Sequence, residues 1–123
     1  MARKILAVGV FLLFALSEPV HALQLASRAT EEWDVAFIND VLHHIEHRAA
    51  YLKALGTYVK AGGRVALIEM NKDDPNTAHK GQPDLLVGRQ DIDKWMADAG
   101  FKLVQEYPDL FPGTKWFLVY GKK

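Results

Sequence analysis

Positions 39 to 47 read Asn-Asp-Val-Leu-His-His-Ile-Glu-His, a dense run of side chains able to exchange protons or hold a metal. An imidazole titrates near neutral pH, which makes His44 a candidate proton acceptor. His43, Glu46 and His47 also spell H-x-x-E-H, in which two histidines hold zinc and the glutamate serves an activated water as base. That chemistry needs the five residues in the middle of a long helix, with a further acidic ligand on a following one. The sequence offers neither, so a zinc protease is the remote reading and no metal is expected. A second polar pair, Glu69 and Asn71, closes a later apolar run and is placed to touch a substrate. The plainer alternative is that Asn39 and Asp40 only cap a strand end, while the histidines, Glu69 and Asn71 are solvated.

The surrounding pattern says what positions these residues. Residues 33–39 are mostly apolar, as in a strand buried on both faces. A helix is predicted from Glu46 or His47 to Val59, with Leu52, Leu55 and Val59 on one face and Gly62-Gly63 as its stop. Residues 64–70 read as a second strand. Strand, helix and strand together make a parallel crossover unit, and such folds carry their chemistry at the carboxyl ends of the strands. There stand Asn39, Asp40, His43 and His44. Residues 71–88 form a long polar connection, more often functional than neutral at this length. A second helix is expected over 90–99, then strands over 101–107 and 115–120. No helix separates the last two, so they should pair as an antiparallel hairpin.

Composition bounds the partners. The 123 residues suffice for one domain. Fifteen basic residues balance fifteen acidic ones, giving a formal net charge of zero, so capture of nucleic acid is not expected. There is no cysteine, which excludes disulfides and thiolate metal sites. Arg3 and Lys4 precede an apolar run over 5–16, and Val20-His21-Ala22 offers small residues for cleavage. A signal peptide over 1–22 is therefore expected, cleaved after Ala22, with a linker over 23–32 and one domain over 33–123. The run is too short to span a bilayer stably. The mature chain is expected to be exported, or tethered to a membrane if the signal stays uncut.

Trp33-Asp34-Val35, the Asp40–Ile45 run, 48–52, Gly62-Gly63-Arg64, Ala99-Gly100-Phe101 and Trp116-Phe117-Leu118-Val119-Tyr120 occur in an order that resembles the carboxyl-terminal half of class I S-adenosylmethionine-dependent methyltransferases. The resemblance covers nearly all of 31–123. It implies an α/β, Rossmann-like sheet of about four strands, the last antiparallel, with flanking helices. These correspond to strands four to seven of the family's seven. The family's first strand, its glycine-rich loop and the acidic residue after its second strand are expected to be missing, which makes the domain a truncated one. The resemblance further implies S-adenosylmethionine as cofactor, beside Asn39, Asp40 and Val41. It implies a small-molecule methyl acceptor near His43, Glu69 and Asn71, with His44 as base. Loss of three strands would expose the edge and one face of the strand over 33–39, including Val35, Phe37 and Ile38. An open edge invites pairing, so the alternative function is a non-enzymatic remnant that dimerises or needs a complementing chain.

Overall fold

The computed structural model describes residues 5–8 and 33–123. The chain order is β1 (Ile5–Val8), β2 (Trp33–Asn39), a 3-10 turn (Leu42–His44), α1 (Arg48–Gly56), β3 (Val59–Met70), a second 3-10 turn (Pro83–Leu85), α2 (Arg89–Asp98), β4 (Phe101–Glu106) and β5 (Lys115–Lys122). The strands form one sheet in the order β1-β2-β3-β5-β4. β1, β2 and β3 run parallel, whereas β5 is antiparallel to both β3 and β4.

The sheet corrects the expected strand count. Four strands were anticipated and all four are present, but Ile5–Val8 adds a fifth, paired in register with Val35–Ile38. In a doubly wound sheet the neighbour of the fourth strand is the first. Ile5–Val8 therefore holds the place of the first strand that the sequence had seemed to lack. The edge of β2 expected to be open is covered, and Ile38 is fully buried while Val35 and Phe37 are half-buried. Apart from Ile5–Val8, the expected signal peptide, its cleavage site at Ala22 and the linker over 23–32 lie outside the described residues.

β2 alternates rather than burying both faces alike. Ala36 and Ile38 point into the core, Val35 and Phe37, before and between them, are half-buried and Asn39 is exposed, as period-two geometry requires. Leu52 and Leu55 of α1 and Ile92 and Met96 of α2 pack with them, together with Val65, Leu67, Phe101, Leu118 and Tyr120.

α1 ends earlier than predicted. Its last residue is Gly56, where a Cβ would lie 3.0 Å from the Phe101 ring and 3.3 Å from the Ala99 carbonyl oxygen. Val59, expected at the helix end, instead opens β3. Gly62-Gly63 is not a helix stop but part of a bulge. Trp33 pairs with Val59 and Val35 with Arg64, so residues 60–63 lie opposite Asp34. Gly62 takes φ 74°, where a side chain would be strained. A Cβ on Gly63 would come within 3.1 Å of the Asp34 carbonyl oxygen.

Candidate functional site

The parallel strands β2 and β3 finish side by side, and β5, running the other way, begins beside them: Met70 pairs with Lys115. Three strand ends thus deliver Asn39-Asp40, Glu69-Met70 and Lys115 to one rim. Just past β2 the chain turns sharply. Asp40 has φ 50°, a left-handed conformation that aspartate tolerates better than most residues. Val41, Leu42 and Ile45 are then buried. Burying those three forces His44 and Glu46 outward.

His43 and Glu69 form the centre of the site. Glu69 is fully buried, and His43 is 3% exposed. The His43 Nδ1 lies 2.6 Å from Glu69 Oε1, and the His43 backbone N–H donates to Glu69 Oε2 at 3.0 Å. The Met70 N–H donates to Glu69 Oε1 at 2.8 Å. A carboxylate removed from water persists only when charged or polar donors surround it, and these three do so. An ionised carboxylate can only accept, so a neutral imidazole paired with it carries its proton on Nδ1 and turns the lone pair of Nε2 away from Glu69. The His44 ring lies 4.0 Å from that of His43, and His79, from the 71–88 connection, lies 5.2 Å away. Burial, then His43 and His79, hold the His44 pKa below the ordinary histidine value, with Glu69 opposing.

A cleft of about 650 Å³ opens beside this group, lined by His43, His44, Arg48, Asp84 and their neighbours. Arg48 fixes one wall. Its guanidinium donates to the carbonyls of Leu42 (3.2 Å), His43 (2.9 Å) and Asp84 (2.6 Å).

The remaining expected site residues separate into two groups. Asn39 and Asp40 sit on the rim and Val41 is buried just behind it. Asp40 pairs through Oδ2 with Lys115, while its Oδ1 is buried with no hydrogen-bond partner among the described residues. Asn71 is drawn elsewhere. It accepts from the Asp73 N–H, donates to the Gly113 carbonyl, each at 2.9 Å, and so joins two loops. Glu69 stands behind His43 rather than at the surface where a substrate would meet it. The H-x-x-E-H residues are split between a 3-10 turn and the start of α1, with His47 at the helix cap, so they share no helical face. Sequence reasoning missed His79, Arg48 and Lys115. The expected hairpin did carry a signal for Lys115, since an antiparallel final strand must begin at this rim.

A family model described as a methyltransferase domain matches residues 15–106. The chain belongs to that family. No curated protein matches this chain at a significant level. Solved structures do. An S-adenosylmethionine-dependent methyltransferase from Aquifex aeolicus matches with TM-score 0.63 at 14% identity, over 77% of this chain and 48% of that one. The 1,6-didemethyltoxoflavin-N1-methyltransferase of Burkholderia thailandensis, solved with 1,6-didemethyltoxoflavin and S-adenosylhomocysteine, matches with TM-score 0.59 at 15% identity, over 80% and 48%. A protein titled as a type 11 methyltransferase from Sulfolobus solfataricus gives 0.67 at 15%, over 99% and 72%. At these identities the likeness shows the fold. The chain spans about half the length of the first two.

The described rim fits a ligand of the S-adenosylmethionine type in one respect. The unpartnered Asp40 Oδ1, beside the ends of β1 and β2, is an acceptor suited to an ammonium or hydroxyl donor. An unsatisfied buried acceptor otherwise costs about 1–3 kcal/mol.

Proposed function

We propose that this methyltransferase domain transfers a methyl group to a nucleophilic atom of a small molecule, with His43 as the base that takes the acceptor's proton. The observation that carries the reading is the 2.6 Å contact between His43 Nδ1 and Glu69 Oε1 at the wall of the cleft. S-adenosylmethionine, when bound, supplies an electrophilic methyl. Asn39, Asp40 and Val41 hold it at the rim. The domain's own residues do the rest. Glu69 fixes the imidazole's tautomer and stabilises the imidazolium formed when Nε2 accepts a proton, as a buried carboxylate does behind a catalytic histidine. Methyl transfer is an in-line displacement and depends above all on alignment, which the Arg48 clamp serves by fixing the cleft wall. His44 was the base expected from sequence. Geometry favours His43, because among the described residues no carboxylate orients His44, and burial and then the neighbouring rings disfavour its cation.

A second reading follows from the share of each neighbour that the chain spans, 48% in two of them. In it the chain is non-catalytic and completes its sheet with a second copy or another chain. We also propose export of the chain, supported by Arg3, Lys4, the apolar run and Val20-His21-Ala22. A chain cut after Ala22 loses β1 and opens the edge of β2, which favours the second reading.

Calorimetric titration with S-adenosylmethionine, on a chain whose first residue is fixed by intact mass, tests the proposal. Binding that survives in His43→Asn, with methyl transfer to acceptor libraries abolished, is the expected result. No heat at millimolar ligand would overturn it in favour of the second reading.

A further inference from the structure

We propose that His43, His44 and His79 form a binding site for a divalent transition-metal ion, best matched by zinc. One ligand nitrogen from each lies within 4.8 Å of the others. Tetrahedral zinc, with bonds of 2.0–2.1 Å to imidazole, places its nitrogens roughly 3.3 Å apart. Closing that difference asks only for small rotations of His44, which is exposed, and His79, which is half-buried.

The hydrogen bonds behind the rings are what single this group out. His43 meets Glu69 Oε1 through Nδ1, and His79 meets Gln82 Oε1 through Nδ1 at 3.0 Å. An acceptor on one ring nitrogen keeps the proton there and turns the other nitrogen outward as a lone pair. Metal-ligating histidines are held in this way, by a carboxylate or another oxygen on the far nitrogen. Methyl transfer gives no reason for His79 to be anchored so.

The donor set selects the ion. Three neutral imidazoles with no thiolate suit zinc, copper or nickel rather than magnesium or calcium. Three protein ligands leave a fourth position open, as in zinc sites that act on substrates. The cleft lined by His43 and His44 adjoins it. The site is not the H-x-x-E-H pattern, since His47 is not one of its members. Nor does it rest on the methyl-transfer reading. A metal on His43 Nε2 uses the lone pair that would take a proton, so the metal-bound and base forms exclude each other.

Zinc titration of the full chain by calorimetry, with cobalt absorption as a second readout, tests the site. One zinc per chain in the low-micromolar range or tighter is expected, with visible cobalt bands of a four- or five-coordinate ion. His44→Ala and His79→Ala should each weaken zinc about tenfold or more, and His47→Ala should not. His44 is exposed and His79 half-buried, so both variants should fold, and circular dichroism is the check. Glu69→Gln, where it folds, should weaken zinc by about 10–100-fold. Absence of zinc heat at millimolar metal, undiminished binding in His79→Ala, or equal loss in His47→Ala would each overturn the proposal. S-adenosylmethionine titration of the same samples keeps this outcome separate from that of the methyltransferase reading.

Discussion

Two polar clusters sit on opposite parts of the sheet and differ in what they leave unused. In one, Arg89 of α2 binds Asp93 Oδ2 at 3.1 Å and both oxygens of Glu106, at 2.6 and 3.3 Å. Tyr120 donates to Asp93 Oδ1 at 2.5 Å, and its phenol pKa is raised by burial and by Asp93. The principal donors of this group meet acceptors within it, tying α2 to β4 and β5. In the other, Glu69 is equally saturated, but the ring it holds has a nitrogen with no hydrogen-bond partner among the described residues, at the wall of a cleft. Chemistry is distinguished here by unspent hydrogen-bonding capacity beside an opening rather than by polarity.

Glu69→Ala should have the largest effect. It leaves His43 and the Met70 N–H without their buried acceptor, and breaking a buried pair from one side costs about 3–5 kcal/mol. Urea denaturation reads this directly. A loss below about 1 kcal/mol would mean the glutamate is far less buried than its contacts imply. Tyr120→Phe should cost less, about 1.5–3 kcal/mol, the worth of a hydrogen bond to a charged group. It should leave zinc and S-adenosylmethionine binding unchanged. If it disturbs either ligand, the division between a structural cluster and a chemical one fails.

The smallest effect concerns pH. Because the folded His44 pKa lies below the unfolded value, its contribution to stability is complete above the unfolded pKa. It declines as pH falls from there toward the folded one, while the unfolded chain binds the proton first. NMR titration should place His44 below an ordinary histidine, and His79→Ala should move it upward by removing one of the rings that lower it. Movement in the opposite direction would show that the three rings do not share an environment.

Much of the frame was legible in local pattern. The strand over 33–39 matches β2 at both ends, α2 falls within a residue of its expected span, and the last two strands form the antiparallel hairpin. These features depend on periodicity and on turn residues close in sequence. What escaped depends on distance along the chain. Ile5–Val8 was read only as part of an apolar leader because nothing local distinguishes a short parallel strand from a leader's apolar stretch, and its pairing with Val35–Ile38 is remote in sequence. Val59 read as helical because it continues the 3.6-residue stripe. It instead pairs with Trp33 of β2, a partner remote in sequence. His43 and Glu69 were each singled out, yet their union spans 26 residues and follows only from two parallel strands ending together. His79 sits in a polar connection without periodicity, where only the folded path brings it to the other rings.

Arg48 has one more effect. A single planar group grips the turn bearing the reactive ring and, across the opening, the backbone at Asp84. A guanidinium is rigid in its own plane, so the two walls cannot drift apart independently while both contacts hold. Widening the mouth to admit a bulky acceptor requires release of the far carbonyl, and the imidazole's backbone feels that release at once. Under the proposed reaction, entry of a guest and the placement of His43 would thereby be coupled through one side chain.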